Sequence, residues 1–185
     1  MSVSIIVAYD NNRVIGHNNM LPWRLPEDMR LFKERTLDTT VIMGRKTWES
    51  LRNGPKKLWW LPQRQNIVIS RNSTELSKQF WEGRDSTEAL PPIWFLSLEH
   101  ALRMYEIAKT SDDPKISTWN VIGGETIYNE FLKANIVDRV VASEVPGEHE
   151  GDAFFPILDP AWTIDRRRDY TGFSVVEYID SRKSS

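Results

Sequence analysis

The chain has 185 residues, with 24 Lys+Arg against 26 Asp+Glu for a formal net charge of -2, and it has no cysteine. That length fits one domain, residues 1–185, with a real core. The charge balance argues against a protein that coats nucleic acid, and the absence of cysteine excludes disulfide scaffolds, Cys-ligated zinc, iron–sulfur clusters and thiol nucleophiles. No apolar run approaches the ~20 residues needed to cross a bilayer, and the first residues lack the basic stretch of a secretory signal. The expectation is a cytoplasmic protein that binds something small, with no membrane and no nucleic-acid partner.

Val3 to Tyr9 is a β-rich apolar run ended by the turn cluster Asp10-Asn11-Asn12, and it reads as a buried strand. Met20 to Pro26 carries two prolines and is irregular. Pro26 suits the first turn of a helix reaching Thr36, with Glu27 and Asp28 at the positive end of its dipole. Thr39 to Met43 is a second strand, entering Gly44-Arg45-Lys46-Thr47 and a short helix, Trp48 to Arg52. Asn53 to Gln65 reads as a basic loop with the pair Trp59-Trp60, and Asn66 to Ser70 as a third strand. Arg71 to Pro92 shows no clear period. Ile93 to Leu96 is a fourth strand, and Ser97 caps a helix to about Lys109. Thr118 to Ile122, a fifth strand, enters Gly123-Gly124 and a helix through Leu132. Ile136 to Val145 is a sixth. Trp162 to Asp169 and Ser174 to Ile179 pair around Thr171-Gly172, and the tail from Asp180 is expected to fray. Trp48, Trp94, Trp119 and Trp162 are expected to pack.

Strands alternating with helices imply an α/β fold, a mostly parallel sheet with an antiparallel C-terminal ending and helices on both faces. Ligands of such sheets sit beyond the carboxyl ends of the strands, here just after Val7, Met43, Ser70 and Ile122. Two of those places hold glycine at a helix N-terminus, where free N–H groups can meet a phosphate. Arg45, Lys46 and Arg71 add cations. Either turn alone is also what a plain tight bend needs, but together they point to a dinucleotide along the sheet edge. No G-x-G-x-x-G and no G-x-x-x-x-G-K-[ST] is present, against a standard Rossmann site or a kinase. Asp28 shares a helix face with Phe32, and a carboxylate among core residues is costly unless paired or functional; a wet, dipole-favouring Asp28 is the alternative. The three histidines are scattered, so no metal site is expected, and no G-x-S-x-G nucleophile turn occurs.

Val14-Ile15-Gly16, Leu21-Pro22-Trp23, Asp28, Phe32 and Thr36 resemble the signature of dihydrofolate reductase. Val41-Ile42-Met43-Gly44-Arg45-Lys46-Thr47-Trp48-Glu49-Ser50 is similar to the first cofactor turn of that family, and Val121-Ile122-Gly123-Gly124 with Ile127-Tyr128 to the second. Glu150-Gly151-Asp152 and Phe155-Pro156 match a further segment. The resemblance is to the monomeric bacterial or phage type. It implies a central eight-stranded sheet and NADPH-dependent reduction of 7,8-dihydrofolate to tetrahydrofolate, with antifolate inhibitors as further ligands. It implies that Asp28 binds the pterin, Trp23 holds a water beside that carboxylate, and Ser143 backs it where threonine is usual. Ile6, Val7, Ala8, Met29, Phe32, Leu51, Leu61, Ile122 and Tyr128 would surround the substrate, and Arg64 would pair with its glutamate α-carboxylate. Ala8, Ile15 and Gly16 would border the nicotinamide. Gly44, Arg45, Lys46, Thr47, Ser70, Arg71, Gly123, Gly124, Glu125, Thr126 and Ile127 would hold the rest of NADPH, with Arg45 and Arg71 on the 2′-phosphate. The segment Ile15 to Trp23, with Leu21 where methionine is common, would be an irregular lid.

The sequence departs from the family between Leu51 and Arg64, where it is longer, and at Gln63, which replaces the glycine of a tight turn. Two other readings compete with folate reduction. One is a related reductase of another pterin or pyrimidine. The other is a non-enzymatic nucleotide-binding module docking through Trp59-Trp60, which simple loop packing would remove.

Overall fold

The computed structural model describes residues 1–54, 56–82 and 91–183. Among them, one sheet holds eight strands: β1 (Ser2–Asp10), β3 (Thr40–Gly44), β4 (Gln65–Ile69), β5 (Ile93–Leu96), β6 (Thr118–Gly123), β7 (Arg139–Val145), β9 (Trp162–Tyr170) and β10 (Phe173–Asp180). Their spatial order is β5-β4-β3-β6-β1-β7-β10-β9. Every pairing from β5 to β7 is parallel, and β10 runs antiparallel to both β7 and β9. The eight-stranded, mostly parallel sheet with an antiparallel ending is thus as expected. Two short strands, β2 (Val14–Gly16) and β8 (Ala153–Phe154), pair apart from it.

Central position explains the strand sequences. β3 lies between β4 and β6, and all five of its residues are buried, so it reads as a continuous apolar run rather than an alternating one. β9 is the edge, and its exposed Asp165-Arg166-Arg167-Arg168-Asp169 run discourages pairing with another chain. The helices are α1 (Pro26–Thr36), α2 (Arg45–Asn53), α3 (Ser73–Trp81), α4 (Leu98–Ala108), the short α5 (Pro114–Ser117) and α6 (Glu125–Lys133). Val3, Ile5, Val7 and Tyr9 on one face of β1 form a core with Ala101 and Ala108 of α4 and Ile127, Tyr128 and Phe131 of α6. The other face carries two clusters. One joins Val41, Met43 and Val68 to Trp48 of α2 and Phe80 of α3; the other joins Val141, Val145 and Val175 to Leu31 of α1. Helices therefore cover both faces. Arg35 of α1 reaches the buried Glu177 of β10 at 2.7 Å, and Arg139 holds the second oxygen of that carboxylate at 2.9 Å, which fixes α1 against the sheet.

Several boundaries differ from the sequence reading. α2 begins at Arg45 instead of Trp48, because Gly44 itself serves as its N-cap. The featureless stretch after Arg71 contains α3. Leu76 and Phe80, four residues apart, are the inward face that the polar remainder hides. A further short helix, α5, stands just before β6, while residues 83–90 lie outside the described ones. Asp180 ends β10 fully buried and takes bonds from Arg182, while Lys183 donates to the Val137 carbonyl, so the tail is tied down through residue 183. Trp48 and Trp119 are buried, but Trp94 on the outer strand β5 is 47% exposed.

Candidate active site

Asp28 lies in the first turn of α1, whose start has Pro26 at its first position and no side-chain cap. Its carboxylate is half-buried against β7, where the Ser143 hydroxyl donates to Oδ1 at 2.5 Å. Burial raises the Asp28 carboxyl above its ordinary value, and the Ser143 bond opposes that only in part. The wet, merely dipole-favouring alternative for Asp28 is therefore not what the fold builds. Ser143 pairs in register with Ala8, so Ala8 and Ile6 line the same face of the sheet, while Val7 turns into the opposite core. Ile6 packs in the same cluster as Trp23, and the Trp23 indole N–H is buried with no protein partner among the described residues. Leu21 and Met29, at the rim, are about half exposed.

Phe32, one turn beyond Asp28, joins Leu51, Leu61 and Ile122 around a single apolar cluster, so these four of the residues expected around the substrate come together. Arg64 is 6% exposed. Its Nε donates to Thr36 Oγ1 at 2.8 Å, and its two terminal nitrogens donate to the Pro62 and Lys33 carbonyls at 2.5 and 3.2 Å. Burial lowers its pKa, although Asp38 favours the charged form. Gln63 adopts φ +59°, so the turn that aims Arg64 keeps a left-handed residue without glycine, at a cost of about 1 kcal/mol. The long loop before it is anchored by aromatics. Trp48 Nε1 donates to the Trp59 carbonyl at 2.7 Å, and the Arg52 guanidinium lies over both indoles. Trp60 packs on the cluster, and Leu58 N–H donates to Leu51 O at 3.0 Å. Loop packing thus accounts for Trp60 and for one face of Trp59, which stays 40% exposed.

The two glycine turns meet. β3 passes into α2 at Gly44, and β6 into α6 through Gly123-Gly124; neither helix has a side-chain cap, which leaves N–H groups directed outward. The register sets Met43 beside Gly123. A Cβ on Gly44 would stand 3.0 Å from Ile127 Cγ1, and one on Gly123, at φ +136°, would stand 3.0 Å from Thr47 Oγ1. A Cβ on Gly124 would stand 3.4 Å from the same hydroxyl. Gly44, Thr47, Gly123, Gly124 and Ile127 therefore surround one place. Arg45 and Lys46 are exposed beside it, and Arg71 is exposed after β4. Ser70 Oγ accepts from Asn72 N–H at 3.2 Å. Thr126 is exposed, whereas the Glu125 carboxylate is taken by the Phe154 N–H at 2.9 Å. The buried Tyr128 hydroxyl donates to the Ile6 carbonyl at 3.0 Å, and burial pushes its pKa strongly upward.

The lid is less irregular than expected. Val14–Gly16 is a strand, Ile15 packs on the main core, and His17 and Met20 exchange backbone bonds of 2.9 and 3.0 Å. Asp152 holds the lid twice, its N–H donating to Gly16 O and its Oδ2 accepting from Asn18 N–H, both at 3.0 Å. Gly151 is pressed so close that a Cβ there would lie 2.3 Å from Val14 Cγ1. His17 is half-buried. Behind the lid, the buried Asp10 binds Asn12, Val14 and His149. Asp10 and His149 were not among the expected site residues. Their only signal is an acidic turn residue directly after an apolar strand, a pattern that also fits a solvated bend.

The family profile described as dihydrofolate reductase matches residues 2–174. The chain belongs to the dihydrofolate reductase family. It is 35% identical over 178 residues to dihydrofolate reductase HdrB of Haloferax volcanii, covering 94% of this chain and 81% of that protein. It is 37% identical over 186 residues to a dihydrofolate reductase of Neisseria meningitidis, covering 97% and 98%. Among solved structures, dihydrofolate reductase from Enterococcus faecalis, complexed with NADP(H) and RAB-propyl, superposes with a TM-score of 0.69 at 24% identity over 96% of this chain and 95% of that one, a likeness of fold.

As a member of that family, of the chromosomal, bacterial type, the chain is an oxidoreductase of the hydride-transferring kind. Its donor set suits a dinucleotide. Two helix N-termini supply backbone N–H groups, the glycines leave no Cβ in the way, and three exposed cations stand at the strand ends. Among the described residues no group of side chains could hold a metal ion.

Proposed function

We propose that the protein reduces 7,8-dihydrofolate to 5,6,7,8-tetrahydrofolate with NADPH, acting as a monomer. The observation that carries this reading is the half-buried Asp28 carboxylate, fixed by Ser143 on the sheet face whose strand ends also form the two glycine turns. Bound NADPH supplies the hydride. The chain's own part is to hold two flat rings in contact, keep water out, and manage one proton.

Asp28 accepts from the pterin ring N–H and 2-amino group, two bonds its charged form is made for. Free Oδ2 and the shared Oδ1 suffice, since Ser143 is the one side-chain donor to it among the described residues. Ile6 and Ile122 offer carbonyls at the ring edge, and Tyr128 steadies the Ile6 carbonyl from behind. The Trp23 indole N–H, buried and without a protein partner, is the donor for a water beside Asp28 through which a proton reaches N5 of the pterin. Phe32, Leu51, Leu61 and Met29 enclose the rings and the aminobenzoyl group. Arg64 uses three of its five N–H groups internally, and the remaining two take the glutamate α-carboxylate in a forked pair. Arg45 and Arg71 bind the 2′-phosphate, and Thr47 with the glycine N–H groups binds the diphosphate.

The test is direct. Purified protein mixed with NADPH and dihydrofolate should lose nicotinamide absorbance; no loss with dihydrofolate overturns the reading. Replacing both Arg45 and Arg71 by alanine should reduce the preference for NADPH over NADH by about a hundredfold or more, the worth of two charge-assisted bonds. An unchanged preference would place the 2′-phosphate elsewhere.

A further inference from the structure

We infer that His149 is a positioning residue that sets the orientation of the Trp23 indole, and that the buried carboxylate of Asp10 holds it for that task. The inference rests on the folate-reducing reading above, because it matters only if the Trp23 N–H serves the Asp28 site.

Asp10 ends β1, the strand that floors the pocket. Its side chain is fully buried. Oδ1 accepts from Asn12 N–H at 3.0 Å and Val14 N–H at 2.9 Å; Oδ2 accepts from His149 N–H at 2.6 Å and lies 3.1 Å from His149 Nδ1. Burial alone would raise the Asp10 carboxyl, but these bonds outweigh it and hold the group below the usual carboxylate range. An ionised carboxylate can only accept, so Nδ1 carries the hydrogen. The imidazole is therefore held through its own backbone and through its ring, with one tautomer selected.

The ring so held meets Trp23. The two centroids are 5.1 Å apart and the planes make 67°, an edge-to-face contact of the kind the aromatic quadrupole favours. The rest of the Trp23 cluster is Ile6, Leu25, Leu31, Val141, Val145, Phe173, Val175 and Tyr170. Its aliphatic members attract without direction. No described residue accepts a hydrogen bond from the indole N–H either. Among the described residues the imidazole is the ring set edge-to-face against Trp23, and it decides where the indole N–H points. A small rotation there displaces the donor from the Asp28 site, and errors of this size in positioning are expensive in rate.

Single-turnover oxidation of NADPH by dihydrofolate tests this. His149→Ala should slow the step about tenfold, while NADPH affinity stays within about twofold. Added to Trp23→Phe, the same change should cost less than about twofold more, because a residue that acts through Trp23 has nothing left to act on. An unchanged rate in His149→Ala, or an equal loss in both backgrounds, overturns the inference; equal loss is what a purely structural role gives. If His149→Ala does not fold, His149→Asn keeps a side-chain N–H for Asp10 but removes the ring, and the same non-additive pattern is expected. A wild-type protein that leaves NADPH unoxidised refutes the folate reading and this inference with it. An active wild type with an unaffected variant refutes the inference alone.

Discussion

Asp10 closes β1 and Asp28 opens α1, and their surroundings differ in kind. Asp10 is fully buried and receives four N–H donors, which hold its carboxyl low. Asp28 is half-buried and receives one hydroxyl, so desolvation prevails and its carboxyl rises. A buried carboxylate that the protein satisfies by itself is a fastener; one that it desolvates and leaves short of donors is waiting for a ligand. The difference separates a structural knot from a binding pocket without reference to any relative.

The largest expected effect tests the pocket. Asp28→Asn keeps the shape but turns one acceptor into a donor, facing the pterin N–H and amino groups that it should receive. Dihydrofolate turnover should fall by about 10²–10³-fold. Stability should move the other way. A carboxyl whose folded value is raised contributes its stability below the unfolded value and loses it as pH rises through the folded one. Ionised Asp28 therefore costs stability at neutral pH, and Asp28→Asn should melt at the same or a higher temperature at pH 7, with the gap closing in acid. Equal turnover, or a clear fall in melting temperature, would make Asp28 a fastener too.

Asp10→Asn is the reciprocal experiment. Both oxygens of Asp10 accept from N–H groups, so the asparagine NH₂ must face two donors whichever way it turns. Loss of charge-assisted bonds at a buried site should cost about 2–3 kcal/mol of stability in denaturant unfolding. Here the sign is opposite to Asp28. A depressed carboxyl stabilises above its unfolded value and loses that contribution as pH falls through the folded one. The wild type should lose stability on acidification more steeply than the variant. Gly151→Ala probes the same knot more gently, since its Cβ would overlap Val14 and approach Gly16 O at 3.0 Å. Overpacking of this kind costs about 1–3 kcal/mol; hydrogen exchange should show it as faster opening of the lid rather than of the central strands.

What the amino-acid pattern reveals follows from the same physics. The central strands are legible because burial on both faces writes continuous apolar runs, as in Val41-Ile42-Met43, and the two turns because glycine sits where each run ends. α3 is not legible because only Leu76 and Phe80 mark its inner face. The lid strand Val14–Gly16 is too short to show a period, and its pairing with β8 spans more than a hundred residues of chain. Asp28 stands out by sharing a face with Phe32. Asp10 does not, because three of its four donors are backbone N–H groups, which no sequence motif announces. The Asp10–His149–Trp23 chain was invisible for that reason, although every one of its residues was in plain view.

The smallest effect concerns the single donor on which the contrast turns. Ser143→Ala removes the hydroxyl that lies 2.5 Å from Asp28 Oδ1 and is the opposing influence on its raised carboxyl. Without it, desolvation acts unopposed. The Asp28 titration, followed by carboxyl carbon NMR, should move to higher pH, and turnover at neutral pH should drop by about fivefold, the worth of one hydrogen bond of about 1 kcal/mol. Ser143→Thr keeps the hydroxyl and should restore both readouts. If the titration instead stayed where it is in the wild type, bulk solvent would be supplying what the fold withholds, and Asp28 would be no less satisfied than Asp10.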